Sequence, residues 1–225
     1  MGEQLTISGV PIPETTDIRW EGPKPIRHFV FALRQASNRR IEQMNLPQHS
    51  LVLFREEQTP NPATRATTVE EAAAYAAALA TAQKDYPRKD AGPIDLPITD
   101  QCWVVLELEK DINWRFSSTQ PAVTTKAAET PLDHDGVEKS GLNANLRYAY
   151  PNGDVVADPE KGPAGFNCRV VFFRVVGRAK DERQAMNFVV ELYTVVEKGV
   201  AGKVIPLIID PDVPNDGTTG FPSPP

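Results

Sequence analysis

One segment near the C-terminus constrains the fold more than any other, because its strand pattern is apolar on both faces. The two faces of CRVVFFRVV (168–176) are Arg169, Val171, Phe173 and Val175 on one side, and Cys168, Val170, Phe172, Arg174 and Val176 on the other. A strand of a two-sheet sandwich normally keeps one polar face for water. We therefore expect a central strand, covered by a facing sheet and also by a helix, the N-terminal arm or another subunit.

Further strand-like segments lie on both sides of this one. AMNFVVELYTVVEK and GKVIPLIIDPDV follow it and are rich in residues that favour strands, so an antiparallel meander is predicted for the last third of the chain. Earlier strands are predicted at 28–35, 50–57, 101–110, 113–118 and 144–150, the last of these leading to a hairpin turn at Asn152–Gly153. The pattern predicts a mainly β chain, an antiparallel β-sandwich of about eight strands.

One helix interrupts the strands. The run 69–84 is rich in alanine, the residue with the highest helix propensity, and it ends before Pro87. Two overlapping capping boxes, Thr67 with Glu70 and Thr68 with Glu71, mark its start. We predict an extended N-terminal arm at 1–25, a sandwich domain at 26–213 and a flexible C-terminal tail at 214–225. Within the domain we expect a helical insertion at 67–86 and a long loop at 119–142.

Charge and termini narrow the classes of partner. The net charge of −6 disfavours a nucleic-acid partner, which would normally require a basic surface. No basic segment followed by an apolar one occurs at the N-terminus, and no run of about 18 apolar residues occurs anywhere, so we expect a cytoplasmic protein that does not enter a membrane. In that compartment the two cysteines, Cys102 and Cys168, are expected to be buried thiols.

The best catalytic candidate is the loop sequence Asp-His-Asp-Gly at 133–136. His134 and Asp135 could serve as a base and its orienting carboxylate, which would make the protein a hydrolase. A solvated acidic loop is the alternative interpretation.

The candidate metal ligands follow the last predicted strand. Asp210, Asp212 and Asp216 supply the oxygen atoms that Ca²⁺ prefers. Their spacing is not that of an EF-hand, and a turn that ends the strand explains the same residues. We predict no cofactor other than a possible Ca²⁺ ion.

Two further groups have a structural and a functional interpretation. Glu107, Glu109 and Asp111 are interpreted as the solvated face of a strand, although paired carboxylates also serve glycoside chemistry. As candidates for a subunit interface we select Trp20, Trp103 and Val105. The tryptophans could instead form the core or a platform that stacks on sugars.

These observations predict a non-enzymatic, self-associating protein with a structural or binding role, a homo-oligomer. The first alternative is a module that binds a small-molecule or glycan ligand, or Ca²⁺. The second alternative is the hydrolase that uses His134 and Asp135.

Overall fold

The computed structural model describes residues 9–11, 21–35, 50–57, 64–84, 101–110, 113–126, 142–175, 182–193, 204–209 and 212–215. These residues form thirteen strands, one α-helix and one short 3-10 helix. In chain order they are β1 (Gly9–Pro11), β2 (Lys24–Gln35), β3 (Ser50–Glu57), β4 (Arg65–Ala66), α1 (Val69–Ala82), β5 (Cys102–Leu108), β6 (Trp114–Phe116), β7 (Val123–Lys126), β8 (Leu142–Ala149), β9 (Val155–Val156), the 3-10 helix (Pro159–Lys161), β10 (Val170–Val175), β11 (Glu182–Tyr193), β12 (Val204–Ile209) and β13 (Asp212–Asn215).

The strands form two sheets, which confirms the mainly β prediction. Sheet I has seven strands in the order β3-β2-β5-β10-β8-β9, with β4 paired to β2. Sheet II has six strands in the order β1-β7-β11-β12, with β6 and β13 also paired to β11. The prediction of a purely antiparallel fold needs one correction, because β2 and β5 run parallel. The segment between them contains α1, and a parallel pair needs such a crossover.

The two sheets pack face to face over the main core. Large side chains from both sheets fill this space, and Phe31 of sheet I meets Phe188 of sheet II with ring centroids 5.2 Å apart. The strand β5 places Cys102, Val104 and Leu106 in the main core. Its other face points away from sheet II.

Helix α1 covers that other face of sheet I. Its alanines Ala72, Ala76 and Ala80 are buried against a second core, to which sheet I contributes Ile26, Trp103, Val105, Ala149, Val170 and Phe172. Because the alanine side chains are small, the helix backbone lies close to the sheet. The Trp103 Nε1 donates to the carbonyl of Ala66, just before the helix, at 3.0 Å.

The strand β10 is therefore central and covered twice, as its sequence indicates. It lies between β5 and β8, with Val171 and Phe173 in the main core and Val170 and Phe172 under the helix. The sequence left three possible covers for its second face: a helix, the N-terminal arm or another subunit. Among the described residues, helix α1 covers this face.

The predicted C-terminal meander is wrong for its first strand. The strand β10 belongs to sheet I, whereas β11 and β12 pair with each other in sheet II. Strands adjacent in sequence can join different sheets when a sandwich is formed. The hairpin of β11 and β12 does occur, and so does the Asn152–Gly153 turn, which joins β8 to β9 with Gly153 at φ 91°.

The predicted loop at 119–142 contains a strand. The strand β7 pairs with β1 and β11, and it places Val123 in the main core. Its sequence VTTK is short and mostly polar, so its pattern is too weak to indicate a strand by itself. The pairing of β1 with β7 also joins part of the predicted N-terminal arm to sheet II.

Both cysteines are free and buried, as expected from the sequence. Cys168 lies beside Tyr148 and Tyr150 in the main core. Burial raises the pKa of the Cys168 thiol from 9.0 to about 12, and burial also raises the pKa of Tyr150 to about 12. Burial raises the pKa of Tyr148 as well, although its hydroxyl accepts a hydrogen bond from the Ala122 N–H at 2.8 Å.

No helix in the described part of the chain has the length and the hydropathy that a membrane span requires.

The helix start generates a test of the two overlapping capping boxes. The structure uses Thr68, whose Oγ1 accepts from the Glu71 N–H at 3.3 Å, while the Glu71 carboxylate accepts from the Thr68 N–H. We expect Thr68→Ala to lower the free energy of unfolding by about 1 kcal/mol, measured by urea denaturation. Thr67→Ala is the matched control, because only the backbone N–H of Thr67 contacts Glu71. An equal loss in both variants would contradict the assignment.

The buried thiol generates a test of the pH dependence of stability. The folded state keeps the proton on Cys168 at a pH where the unfolded chain loses it, so above about pH 9 the unfolded state binds fewer protons. The contribution of Cys168 to the free energy of unfolding should therefore be constant below about pH 8.5. From there to pH 12 the free energy of unfolding should fall, by up to about 1.4 kcal/mol per pH unit for each such group. Cys168→Ala should make this fall shallower in urea titrations at pH 8 to 11. The same slope in both proteins would show that Cys168 does not contribute.

Candidate active site

The outer face of sheet II, which points away from sheet I, carries a row of polar side chains. Along β11, Phe188 and Val190 enter the main core, so the alternate residues point outward. Residues directly opposite each other on antiparallel strands share a face, and the register sets Glu191 opposite Arg115 and Asn187 opposite Thr124. We call this set the outer polar row; its members are Arg115, Ser117, Thr124, Asn187, Glu191 and Tyr193.

Glu191 is the fixed centre of the row. It is only 6% exposed, and each of its carboxylate oxygens is hydrogen-bonded. The Oε2 atom accepts from Arg115 Nε at 2.8 Å, and the Oε1 atom accepts from Ser117 Oγ at 2.8 Å and from the Ser118 N–H at 3.4 Å. A carboxylate bonded in this way positions its neighbours and has little capacity left to act as a base.

Arg115 is held from three directions but keeps unused donors. Besides Glu191, its Nη1 donates to Asn167 Oδ1 at 3.0 Å, and its guanidinium carbon lies 5.9 Å from the centre of the Tyr193 ring. Asn167 in turn donates to the Tyr193 hydroxyl at 3.2 Å. A guanidinium has five N–H donors. Within the described ranges, the remaining three of Arg115, including both on Nη2, have no acceptor.

The row is open at one end and covered at the other. At the open end the Arg115 side chain is 27% exposed, and Val204, which pairs with Tyr193, is 43% exposed. Toward the other end, Val189, Asn187 and Thr124 are only 1%, 4% and 3% exposed. The face therefore offers a fixed cation near solvent and a run of covered side chains behind it.

A second polar pair lies under helix α1. His28 Nε2 and Glu107 Oε2 are 2.8 Å apart, and both residues are buried. The interpretation of Glu107 and Glu109 as a solvated face is therefore wrong, because α1 covers that face and Glu109 is also buried. The cleft beside Glu107, which Leu79, Gln83, Lys110 and Arg169 also line, holds only about 20 Å³, enough for a water molecule. We interpret the pair as part of the packing between α1 and sheet I.

Most of the residues selected from the sequence lie outside the described residues. This holds for His134, Asp135, Asp210, Asp216 and Trp20. Asp212 begins β13, but its side chain is not among those described. The described residues contain no group of three or more potential metal ligands, and the Ca²⁺ site and the homo-oligomer stay predictions.

Trp103 and Val105, selected as interface residues, are buried under α1 of the same chain. The residues of the outer polar row were not selected from the sequence. A signal for two of them exists, since Arg115 stands between Trp114 and Phe116, and Glu191 stands within the apolar run FVVELY. A single charge inside an apolar strand indicates a partner on a neighbouring strand.

Comparison with known proteins identifies the family. Residues 38–218 match a family model described as "Predicted novel nucleotide synthetase", and this range includes the whole outer polar row but not His28. No curated protein and no solved structure matches the chain. The match overturns the prediction of a non-enzymatic, self-associating structural protein, because it indicates an enzyme. The strand pattern that suggested self-association is explained by helix α1. Since the match covers most of its length, the chain belongs to the family of predicted novel nucleotide synthetases.

Proposed function

We propose that the protein is a nucleotide synthetase, which binds a nucleotide precursor on the outer polar row with its phosphate at Arg115. The observation that carries this proposal is the arrangement of Arg115: a guanidinium fixed by Glu191 and Asn167, partly exposed, with three N–H groups unused among the described residues. A guanidinium with parallel donors matches a phosphate group in charge and geometry.

The neighbours of Arg115 favour phosphate binding for an energetic reason. Holding a long side chain in one orientation costs conformational entropy, and here that cost is met on folding by bonds to Glu191, Asn167 and Tyr193. A ligand phosphate then meets an oriented donor pair. Preorganisation of this kind raises affinity without new contacts.

The net charge of the chain gives Arg115 further importance. At −6, the protein as a whole repels a nucleotide, so binding requires a local positive charge. Buried Glu191 compensates part of the charge of Arg115. The affinity of Arg115 for a phosphate group therefore depends on the geometry of its hydrogen bonds. Mg²⁺ would accompany the phosphates of such a substrate.

The proposal includes a cytoplasmic location and a small-molecule ligand, both of which were expected from the sequence. Free, buried thiols at Cys102 and Cys168 are compatible with a reducing compartment. The nucleotide precursor is the small-molecule ligand that we propose.

The test uses the full chain with ATP, GTP, CTP and UTP in the presence of Mg²⁺. Binding is measured by isothermal titration calorimetry, and products are separated by ion exchange and identified by mass spectrometry. We expect the wild type to bind at least one nucleotide and to form a new nucleotide product. Arg115→Lys keeps the charge beside Glu191 but loses the paired donors, so it should weaken binding by about 10- to 100-fold.

Arg65→Ala is the matched control, since Arg65 is exposed and its side chain, among the described residues, donates only to the Pro23 carbonyl at the β4 edge of sheet I. It should bind nucleotides like the wild type. Absence of binding and product in the wild type would refute the function, whereas unchanged binding by Arg115→Lys would refute the site.

A further inference from the structure

We propose that Thr124 and Asn187 form a subsite that recognises the hydrogen-bonding edge of the nucleobase; this inference rests on the proposed function. The two residues are the covered end of the outer polar row. They lie directly opposite each other on β7 and β11, so their Cβ atoms are about 5 Å apart on one face.

The first observation is a buried hydroxyl that has no partner. Thr124 is 3% exposed, and within the part of the chain that the structure describes its Oγ1 atom makes no hydrogen bond. Beside it, Asn187 is 4% exposed, and no hydrogen bond of its side-chain amide occurs among the described residues. Buried polar groups nearly always have partners, so the unpaired hydroxyl of Thr124 indicates a ligand that supplies one.

The second observation is their place in the row. Asn187 precedes Glu191 by four positions along β11, a separation of roughly 13 Å. A nucleotide with its phosphate at Arg115 would extend along β11, away from the open end. Its base would then reach the covered end, where water is excluded and each hydrogen bond discriminates strongly.

The third observation is the surface between the two ends. Val189 points outward there and is 1% exposed, so this part of the row is apolar and closed to water. The backbone at this point is already paired, since the Val189 N–H donates to the Ala122 carbonyl at 2.8 Å and the Val189 carbonyl accepts from the Ser117 N–H at 3.0 Å. Recognition therefore falls to the side chains of Thr124 and Asn187.

The chemistry of the pair fits a nucleobase edge. An amide presents a donor and an acceptor side by side in one plane, and a base edge presents the complementary pair. The hydroxyl of Thr124 can serve as either donor or acceptor, so it adds a third contact. The subsite should therefore set which base the enzyme accepts, while Arg115 sets affinity for all of them.

The test compares the affinities of ATP, GTP, CTP and UTP for the full-length wild type, Thr124→Val, Asn187→Asp and Arg115→Lys. Thr124→Val removes only the unpaired hydroxyl, so it should leave the thermal midpoint unchanged or raise it. We expect the wild type to prefer one base. Thr124→Val and Asn187→Asp should change the ratio of affinities between bases by about tenfold, which corresponds to 1.4 kcal/mol. Arg115→Lys should lower the affinity for all four nucleotides by the same factor.

Each other outcome overturns a defined part of the inference. If the wild type binds all four nucleotides equally, or if both subsite variants keep its base preference, the subsite is refuted while the proposed function stands. If the wild type binds none of the four, the proposed function fails and the subsite fails with it. The new carboxylate of Asn187→Asp could destabilise the sheet, and thermal unfolding would detect this. Thr124→Val introduces no charge, so a change in base preference has to occur in this variant as well.

Discussion

The packing of helix α1 on sheet I is the interaction on which the rest of the structure depends. Strands β5 and β10 carry large apolar side chains on both faces of sheet I, and sheet II covers only one of these two faces. A helix of 14 residues is marginally stable by itself in water. It becomes stable here because Ala72, Ala76 and Ala80 let it lie close to Trp103 and Phe172. Helix and sheet therefore stabilise each other.

That arrangement also decides where polar chemistry can occur. The helix covers the outer face of sheet I, and even the His28–Glu107 pair is enclosed there. The outer face of sheet II has a different character. The ion pair of Arg115 and Glu191 lies at one end of it, and the buried hydroxyl of Thr124, unpaired among the described residues, lies at the other. A rigid sheet positions such side chains more accurately than a loop does. For this reason we place the proposed nucleotide site on sheet II.

Some of the site could be anticipated from the sequence, but its assembly could not. The charges of Arg115 and Glu191 within apolar strands signal that each has a partner. Their identity as partners is not readable, because they are 76 residues apart and meet only when β6 pairs with β11. Thr124 lies in a segment whose polar pattern predicts a loop, so its role depends on a strand that pairing alone creates. The burial of Glu107 likewise depends on a helix that comes before it in the chain.

The sequence by itself determined the mainly β composition, the single helix with a capping box at its start, the Asn152–Gly153 turn and the double cover of β10. These features depend on local periodicity and turn chemistry, which neighbouring residues specify. The tertiary structure decided the parallel pairing of β2 with β5, the separation of β10 from β11 into different sheets and the composition of the outer polar row. These depend on contacts between distant segments, whose stability comes from complementary surfaces that no single segment contains.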